Sequence, residues 1–520
     1  MADTATIHRR IAAIDLGTNS FHMVIASVSD RGIMQIHARD KEMVRLGSSA
    51  TDMKVLSEDA IERGLQTLSR FAIDAKRHDA SIRAIATSAV REAINKDEFV
   101  RRAYEVSGIH VDVIPGIEEG RLIYVGVIHA LPLRDKNIFV MDIGGGSTET
   151  IIGANGEPRV IDSAKLGHLR LTKRFFTTPT VTSDQIRKCR EHVRGEWAAV
   201  FETYKRIGFQ TAVGSSGTIN AIASIVATQN GKAVESLNGY VMSREEILSA
   251  VELIVSARTQ QDRLGIAGLD AKRADVIMAG AIILEQAVIG LNIEALTVSG
   301  YALREGIVFD TVQQQREMDV RHHLTPLRYQ SVEHVCELYH VRRRHAEHVK
   351  TLSVQLFDQL IPHHGMGDRE RELLEAAALL HDVGYHISAD QHHKHSEYII
   401  RNCAMPGFTS TETNLIASIA RYHRKSHPKK KHVVFAQLAQ EDQYVVTVLA
   451  SILRIAEGLD RRQQSMVSKI QVDVDATEIV VGLQWVTNVP DIELWGAERR
   501  KGLMEETFGR SLRFSLLSPQ

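Results

Sequence analysis

The pattern of apolar and polar positions changes character twice along the chain. Short apolar runs at Ile11–Ile14, Phe21–Ser27 and Met34–Lys41 predict a meander of strands. Leu56–Ala75 keeps its apolar side chains at helical spacing, and Ser57 followed by acidic residues marks where that helix opens. Ser81–Ala86 reads as a strand and Thr87–Ala93 turns into a helix. The strand Val111–Ile114 then leads through Pro115-Gly116 into a helix carrying Glu118 and Glu119. Strands alternating with helices in this way predict an α/β layer. Residues 138–310 repeat the theme, with residues 211–218 read as strand, glycine turn and helix start. From about residue 321 strand signals vanish, and histidine-bearing helical segments run to about 468. The tail alternates as a single strand over Ile470–Val481, reads as a helix over Asp491–Gly509 and closes on a strand at Leu512–Leu517. These shifts predict four domains: 1–128, 129–310, 321–468 and 469–520.

Two stretches align without a gap. Residues 13–25 run Ala-Ile-Asp15-Leu-Gly17-Thr18-Asn19-Ser20-Phe-His22-Met-Val-Ile, and residues 140–152 run Val-Met-Asp142-Ile-Gly144-Gly145-Gly146-Ser147-Thr148-Glu149-Thr-Ile-Ile. Each is an apolar strand ending in Asp, a tight turn of small residues, and a second apolar strand. Glycine admits the backbone such a turn needs, and successive N–H groups in the turn form an anion nest. A single copy is ordinary hairpin chemistry. Two copies in register predict a duplicated fold whose halves close on a chain of phosphates.

Composition narrows the partners. Across 520 residues, 44% are hydrophobic, 24% are charged and the net charge is -1, with a pI near 7.1. That balance gives no global field for nucleic acid or membrane, so a polyanion must be held by local basic groups. Three scattered cysteines form neither a disulfide framework nor a thiolate metal site. No leader-like run opens the sequence, and no apolar stretch approaches the roughly 18 residues of a membrane span. The expectation is a cytoplasmic protein.

Candidate chemistry follows from the turns. Asp142 and Glu149 would face each other across one hairpin as hard ligands for Mg²⁺ or Mn²⁺, with Asp15 the matching carboxylate on the other. Asn19, Ser20, Gly145, Gly146, Ser147 and Thr148 would donate to phosphate. So would Gly214, Ser215, Ser216, Gly217 and Thr218, which lead into a helix N-terminus. Glu119 falls in the first turn of its helix. There a carboxylate often serves only to offset the dipole, but the same positive end would keep it ionised and able to activate water.

Taken together, IDLGTNSFHMVI, IPGIEEGRLIY, DIGGGSTE, GSSGT and ALREGI resemble the exopolyphosphatase and guanosine pentaphosphate phosphatase family, within the actin, sugar kinase and chaperone superfamily. The resemblance spans roughly residues 10–310. It implies duplicated actin-like (ribonuclease H-like) domains with central mixed sheets, an all-α HD-like domain and a small α+β C-terminal domain. It also implies that Glu119 is the catalytic glutamate, that Glu118 points elsewhere, that Arg91 at its helix start binds phosphate, and that the chain forms a homodimer. The implied reaction is Mg²⁺-assisted attack of water on a terminal phosphoryl group of inorganic polyphosphate. The alternatives are 5′-hydrolysis of guanosine pentaphosphate (pppGpp) and, outside enzymes, an actin-like sensor of nucleotide or of pppGpp and ppGpp.

The helical region carries a second pattern. His345, His381-Asp382 and Asp460 resemble in order the HD phosphohydrolase superfamily, which implies a bound divalent metal, with His395 and His423 in the places of a second ion. The basic run Arg421–His432 is the densest in the chain. It predicts a hold on long polyanions and processive action on them.

Overall fold

The computed structural model describes residues 10–29, 33–48, 54–231, 236–318, 326–486 and 489–519. The N-terminal residues 1–9 and the expected start of the helical region at 321 lie outside the described residues. The chain divides into two compact units, residues 1–316 and 317–520.

The first unit holds two sheets. One contains β1 (Arg10–Leu16), β2 (Phe21–Val28), β3 (Met34–Glu42), β4 (Ala80–Ala86) and β5 (Val111–Val113) in the order β3-β2-β1-β4-β5. The other contains β6 (Ile138–Ile143), β7 (Thr148–Ala154), β8 (Glu157–Ala164), β9 (Thr211–Ser215), β10 (Val241–Ser243) and β11 (Ala295–Val298) in the order β10-β11-β9-β6-β7-β8. β1 pairs antiparallel with β2 and parallel with β4, while β6 pairs antiparallel with β7 and parallel with β9. The halves thus share one topology, and β10 is an edge strand added to the second.

Strand alternation explains the layering. Successive side chains point to opposite faces. Ala12, Ile14 and Leu16 join a core with the helix Glu58–Arg77, whereas Ile11 and Ala13 join a different one. In β6, Phe139 and Met141 face helices of the second half, while Ile138 and Val140 enter the same core as Ile11 and Ala13. That shared core is filled by the helices Gly116–Ala130 and Leu303–Met318 through Leu122, Val127, Ile307 and Val308. Two glycines let these helices touch. A Cβ on Gly306 would fall 1.8 Å from the carbonyl oxygen of Leu122, and one on Gly126 would fall 2.4 Å from that of Ala302. Arg121 locks the pair by donating to Glu118 at 2.8 and 2.7 Å and to Asp310 at 2.7 Å. Glu118 is therefore structural, and Glu119 is left to face the other way.

In the second unit a single core runs from Val332 to Leu512. The helices Arg343–His364, Asp368–Leu380, Ser410–Arg421 and Gln440–Gly458 build it, and the sheet of β12 (Val467–Val474), β13 (Glu478–Trp485) and β14 (Ser511–Pro519) packs against it. The single strand expected over Ile470–Val481 is a hairpin instead. Asp475 turns the chain by accepting from the N–H groups of Thr477 and Glu478, both at 2.7 Å. The helix expected over Asp491–Gly509 is two, Asp491–Glu498 and Gly502–Phe508. Among the described residues no helix is long and apolar enough to cross a membrane.

Candidate active site

The two duplicated turns meet tip to tip. A Cβ on Gly145 would lie 3.1 Å from Cβ of Thr18, and one on Gly146 would lie 2.8 Å from Oγ1 of Thr18 and 2.5 Å from Oγ of Ser88. Bare glycines are what allow this approach. Between the turns lies a cavity of about 640 Å³, lined by both of them and reached by Glu119. Asp15 stands opposite His22 in the first hairpin and Asp142 opposite Glu149 in the second. His22 is therefore the positional counterpart of Glu149.

Three buried carboxylates, Glu119, Asp142 and Glu149, gather here with the half-buried Asp15. Burial pushes Asp15 up to about 8, reinforced by Glu119 and opposed by Arg304. It pushes Asp142 up to about 6 against the lowering effect of a Ser215 hydrogen bond, and it raises Glu149 well above the carboxylate range, with Glu119 adding to the shift. Glu119 is raised too. Desolvation outweighs the salt bridge from Arg91, so the expected preference of a helix N-terminus for the ionised form does not prevail. Asp15 Oδ1 is buried without a hydrogen-bond partner. Hard oxygen donors of this kind, only partly neutralised, suit a divalent cation, although among the described residues no three of them bring their oxygens within 4.8 Å of one another.

Arg304, Arg273 and Lys41 line the same cavity. Arg304 Nη1 donates to Nδ1 of His22 at 3.0 Å, so the ring proton sits on Nε2, 2.7 Å from Oγ of Ser20. Burial first, then Arg304 and Lys41, holds His22 down to about 2 and so keeps it neutral. Arg273 lies over Gly217, where a Cβ would fall 1.8 Å from its Nη2. Ser216, beside it, carries φ +74°, a left-handed backbone for a non-glycine residue.

The structure sorts the expected site residues. Asp15, Asn19, Ser20, Glu119, Asp142, Gly145, Gly146, Ser147, Ser216 and Gly217 line the cavity. Four expected donors stand behind it. Thr148 gives its hydroxyl to the Leu166 carbonyl, Ser215 donates to Asp142 at 2.7 Å, Thr218 donates to the Ile143 carbonyl, and Gly214 lies within β9 rather than in a turn. Glu149, expected as a metal ligand, is not among the residues lining the cavity and accepts from Ser163 at 2.8 Å. Arg91 ends rather than starts its helix, Ser88–Glu92, and donates to Glu119 at 2.9 Å. The sequence reading missed His22, Arg273 and Arg304 as site residues. The ungapped alignment that pairs residue 22 with residue 149 could have revealed the first.

Comparison with known proteins decides the family. Residues 24–315 match the Ppx/GppA phosphatase family, and residues 327–490 match Ppx/GppA phosphatase, domain III. The chain belongs to the Ppx/GppA phosphatase family. Its similarity to the guanosine-5′-triphosphate,3′-diphosphate pyrophosphatase of Photobacterium profundum is 32% identity over 461 residues, 87% of this chain and 88% of the relative. The protein of the same name from Vibrio cholerae is 33% identical over 80% of each chain. Among solved structures, an exopolyphosphatase from Cytophaga hutchinsonii is 29% identical, covers 59% of this chain and 98% of its own, and has a TM-score of 0.56. The Aquifex aeolicus Ppx/GppA protein is 27% identical, covers 59% and 98%, and has a TM-score of 0.51. This member of the Ppx/GppA family is accordingly a phosphoanhydride hydrolase with a duplicated actin-like fold and a helical C-terminal region. The sensor without turnover is set aside.

In the helical unit, His345, His381 and Asp382 come together as expected. Asp460 instead accepts from Nδ1 of His345 at 2.8 Å and seats that ring. His392, not His395, stands with His423 beside Asp382, because the helix His392–Asn402 turns His392 inward. In the basic run, Arg421 pairs with Glu397, whereas Lys429, Lys430 and Lys431 are exposed.

Proposed function

We propose that the chain is an exopolyphosphatase that hydrolyses the terminal anhydride of inorganic polyphosphate. The bond between water oxygen and terminal phosphorus forms as the bridging P–O bond breaks. The water proton passes to Glu119, and the shortened chain leaves with the bridging oxygen. The observation that carries this reading is the single cavity shared by both turns, with Glu119 opening into it. Turn N–H groups with Asn19, Ser20, Gly145, Gly146 and Ser147 would hold the terminal phosphate. Arg304, Lys41 and Arg273 would hold those that follow. Arg91 would position Glu119. Mg²⁺ or Mn²⁺ on Asp142, Glu149 and Asp15 would neutralise charge that develops on phosphate oxygen.

The cavity's chemistry favours a bare phosphate chain. No Phe, Tyr or Trp side chain is among the described residues lining it, so a purine would find no aromatic ring to stack on. A second reading, 5′-hydrolysis of pppGpp, is favoured by the names of relatives that align over most of both chains. A side-by-side assay of orthophosphate release from long polyphosphate and from pppGpp with Mg²⁺ separates the two. A kcat/KM ratio above one for polyphosphate supports the first, and a ratio below one supports the second.

A further inference from the structure

The three glycine carbonyls of the second turn are all bonded from behind. The Gly144 carbonyl accepts from the N–H of His168 at 3.0 Å, and the Gly145 carbonyl accepts from those of Leu169 at 3.0 Å and Arg170 at 3.2 Å. The Gly146 carbonyl accepts from Nε of Arg170 at 2.8 Å. The backbone donors open the helix His168–Phe175, which Gly167 brings close: a Cβ there would fall 2.2 Å from the Gly145 oxygen. In a trans peptide the N–H points opposite to the carbonyl that precedes it. Holding these carbonyls therefore turns the N–H groups of Gly145, Gly146 and Ser147 away from that helix, and none of the three meets an acceptor among the described residues. The result is an anion nest set by what lies behind it. In the first turn the Thr18 carbonyl accepts from the N–H of Gly47 at 3.0 Å and that of Asn19 from the N–H of Arg45 at 2.8 Å. Those contacts are backbone to backbone, whereas Gly146 depends on a side chain.

That side chain is itself fixed from the other half of the duplicated fold. Nη2 of Arg170 donates to Oε1 of Glu92 at 2.6 Å, and Glu92 ends the short helix Ser88–Glu92, next to Arg91. Oε1 of Glu92 also accepts from Oγ of Ser88 at 3.2 Å, and its Oε2 accepts from Nζ of Lys165 at 2.7 Å. The side chains of Arg170 and Glu92 are 12% and 15% exposed and that of Lys165 is 70% exposed, so the guanidinium pair is the shielded one and the lysine adds little. One edge of a planar guanidinium thus holds the turn of the second half while another of its nitrogens is anchored on the first. The same helix reaches the first turn as well, because Nζ of Lys173 donates at 2.6 Å to the carbonyl of Gly47, the residue whose N–H holds Thr18.

We propose that Arg170 is a positioning residue for hydrolysis: it aims the Ser147 N–H at the terminal phosphate and, through Glu92, fixes the spacing of the two turns. The inference rests on the reading that these turns hold the terminal phosphate. Without Arg170 the peptide between Gly146 and Ser147 is free to rotate, since glycine offers little resistance, and one donor leaves the phosphate. That loss falls on the transition state, where charge on the transferring phosphoryl oxygens needs donors already in place. Arg304, Lys41 and Arg273 continue to hold the rest of the substrate, so the ground state is little changed. The substrate's tail plays no part, and the effect is the same for a polyphosphate chain as for pppGpp. Glu119 takes its salt bridge from Arg91, so Arg170 leaves its proton affinity alone.

The test measures steady-state orthophosphate release by the full chain with Mg²⁺, on long polyphosphate and on pppGpp. Arg170→Gln should lower kcat by roughly 10- to 100-fold on each substrate that wild type hydrolyses, with KM within a few-fold of wild type and the rising limb of the kcat–pH profile in place. A general loosening of the helix Ser88–Glu92 would instead carry Arg91 with it and move that limb. Arg170→Lys, which keeps a charged donor without the fork, should recover part of the lost kcat, and Glu92→Gln should lower kcat less than Arg170→Gln does. Thermal melting reports whether each variant is folded, and should Arg170→Gln fail that check, Arg170→Lys and Glu92→Gln decide the matter by the same fall in kcat at an unmoved pH limb. Unchanged kcat in the folded variants, a change confined to KM, or a shifted limb would overturn the part given to Arg170. Absence of release from polyphosphate by wild type would overturn the substrate reading alone, and the pppGpp series would still judge Arg170.

Discussion

Arg91 reaches across from the end of a short helix to donate to Oε2 of Glu119 at 2.9 Å, and its Nη1 also donates to the Ile114 carbonyl at 3.0 Å. The guanidinium opposes what burial does to Glu119. Arg91→Gln should therefore raise the proton affinity of Glu119 further. Because the base acts deprotonated, the rising limb of the kcat–pH profile should move to higher pH, with kcat at pH 7 falling by roughly tenfold or more. A profile that keeps its position would show that Arg91 does not act through Glu119.

Asp15 provides a pH dependence of stability. Its folded value, about 8, lies above its ordinary 3.8, so the folded protein binds the proton more tightly than the unfolded chain does. Stability from this group is present below about pH 4 and is lost as pH rises through about 8. In the absence of divalent cation, Asp15→Asn should therefore melt close to wild type at pH 5 and above it at pH 8.5. Calorimetric melting at both values checks this, and a gap that narrows with rising pH would contradict it.

His22 and Arg304 act as a unit. The neutral ring fixes the guanidinium and relays to Ser20. Arg304→Ala should lower kcat/KM on phosphate chains by roughly 10- to 100-fold. His22→Ala should have a smaller effect in the same direction, and the double variant should be less than additive. Full additivity in steady-state kinetics would mean the two residues serve the substrate separately.

Gly306 holds in place the helix that carries Glu119. Its Cα hydrogens leave room for the Leu122 carbonyl, where a methyl group would fall at 1.8 Å. Gly306→Ala should destabilise the protein by about 1–3 kcal/mol and shift the helix that carries Glu119. Urea denaturation and phosphate release should both report the damage.

The exposed lysines Lys429, Lys430 and Lys431 carry the expectation of a hold on long chains. Replacing all three with Ala should weaken binding of long polyphosphate, leave short chains unaffected and lose its effect as salt rises. Unchanged binding at every ionic strength would remove this role.

Much of the cleft was legible because it is local. The Asp-turn-strand unit and Glu119 after Pro115-Gly116 each lie within a few residues, as does the His381-Asp382 pair of the helical unit. Arg273 was not legible. It comes from a short turn, Ala271–Arg273, and only tertiary packing lays it over Gly217. His392 was passed over for His395 because sequence order ranks neighbouring histidines alike, whereas the helix turns one inward. Thr148 and Ser215 read as phosphate donors from their turn-like surroundings, yet β7 and β9 take them up and satisfy their hydroxyls internally. The hairpin at Asp475 hid inside an unbroken alternation, since its turn is too short to interrupt a period of two.

The central claim is that two matched turns grip the phosphate chain while Glu119 readies the attacking water. Single-turnover phosphate release and equilibrium binding of polyphosphate by Glu119→Gln test it together. Binding within a few-fold of wild type, with release slowed by roughly 100- to 10,000-fold, is the predicted result. Release at a near-normal rate would contradict the account.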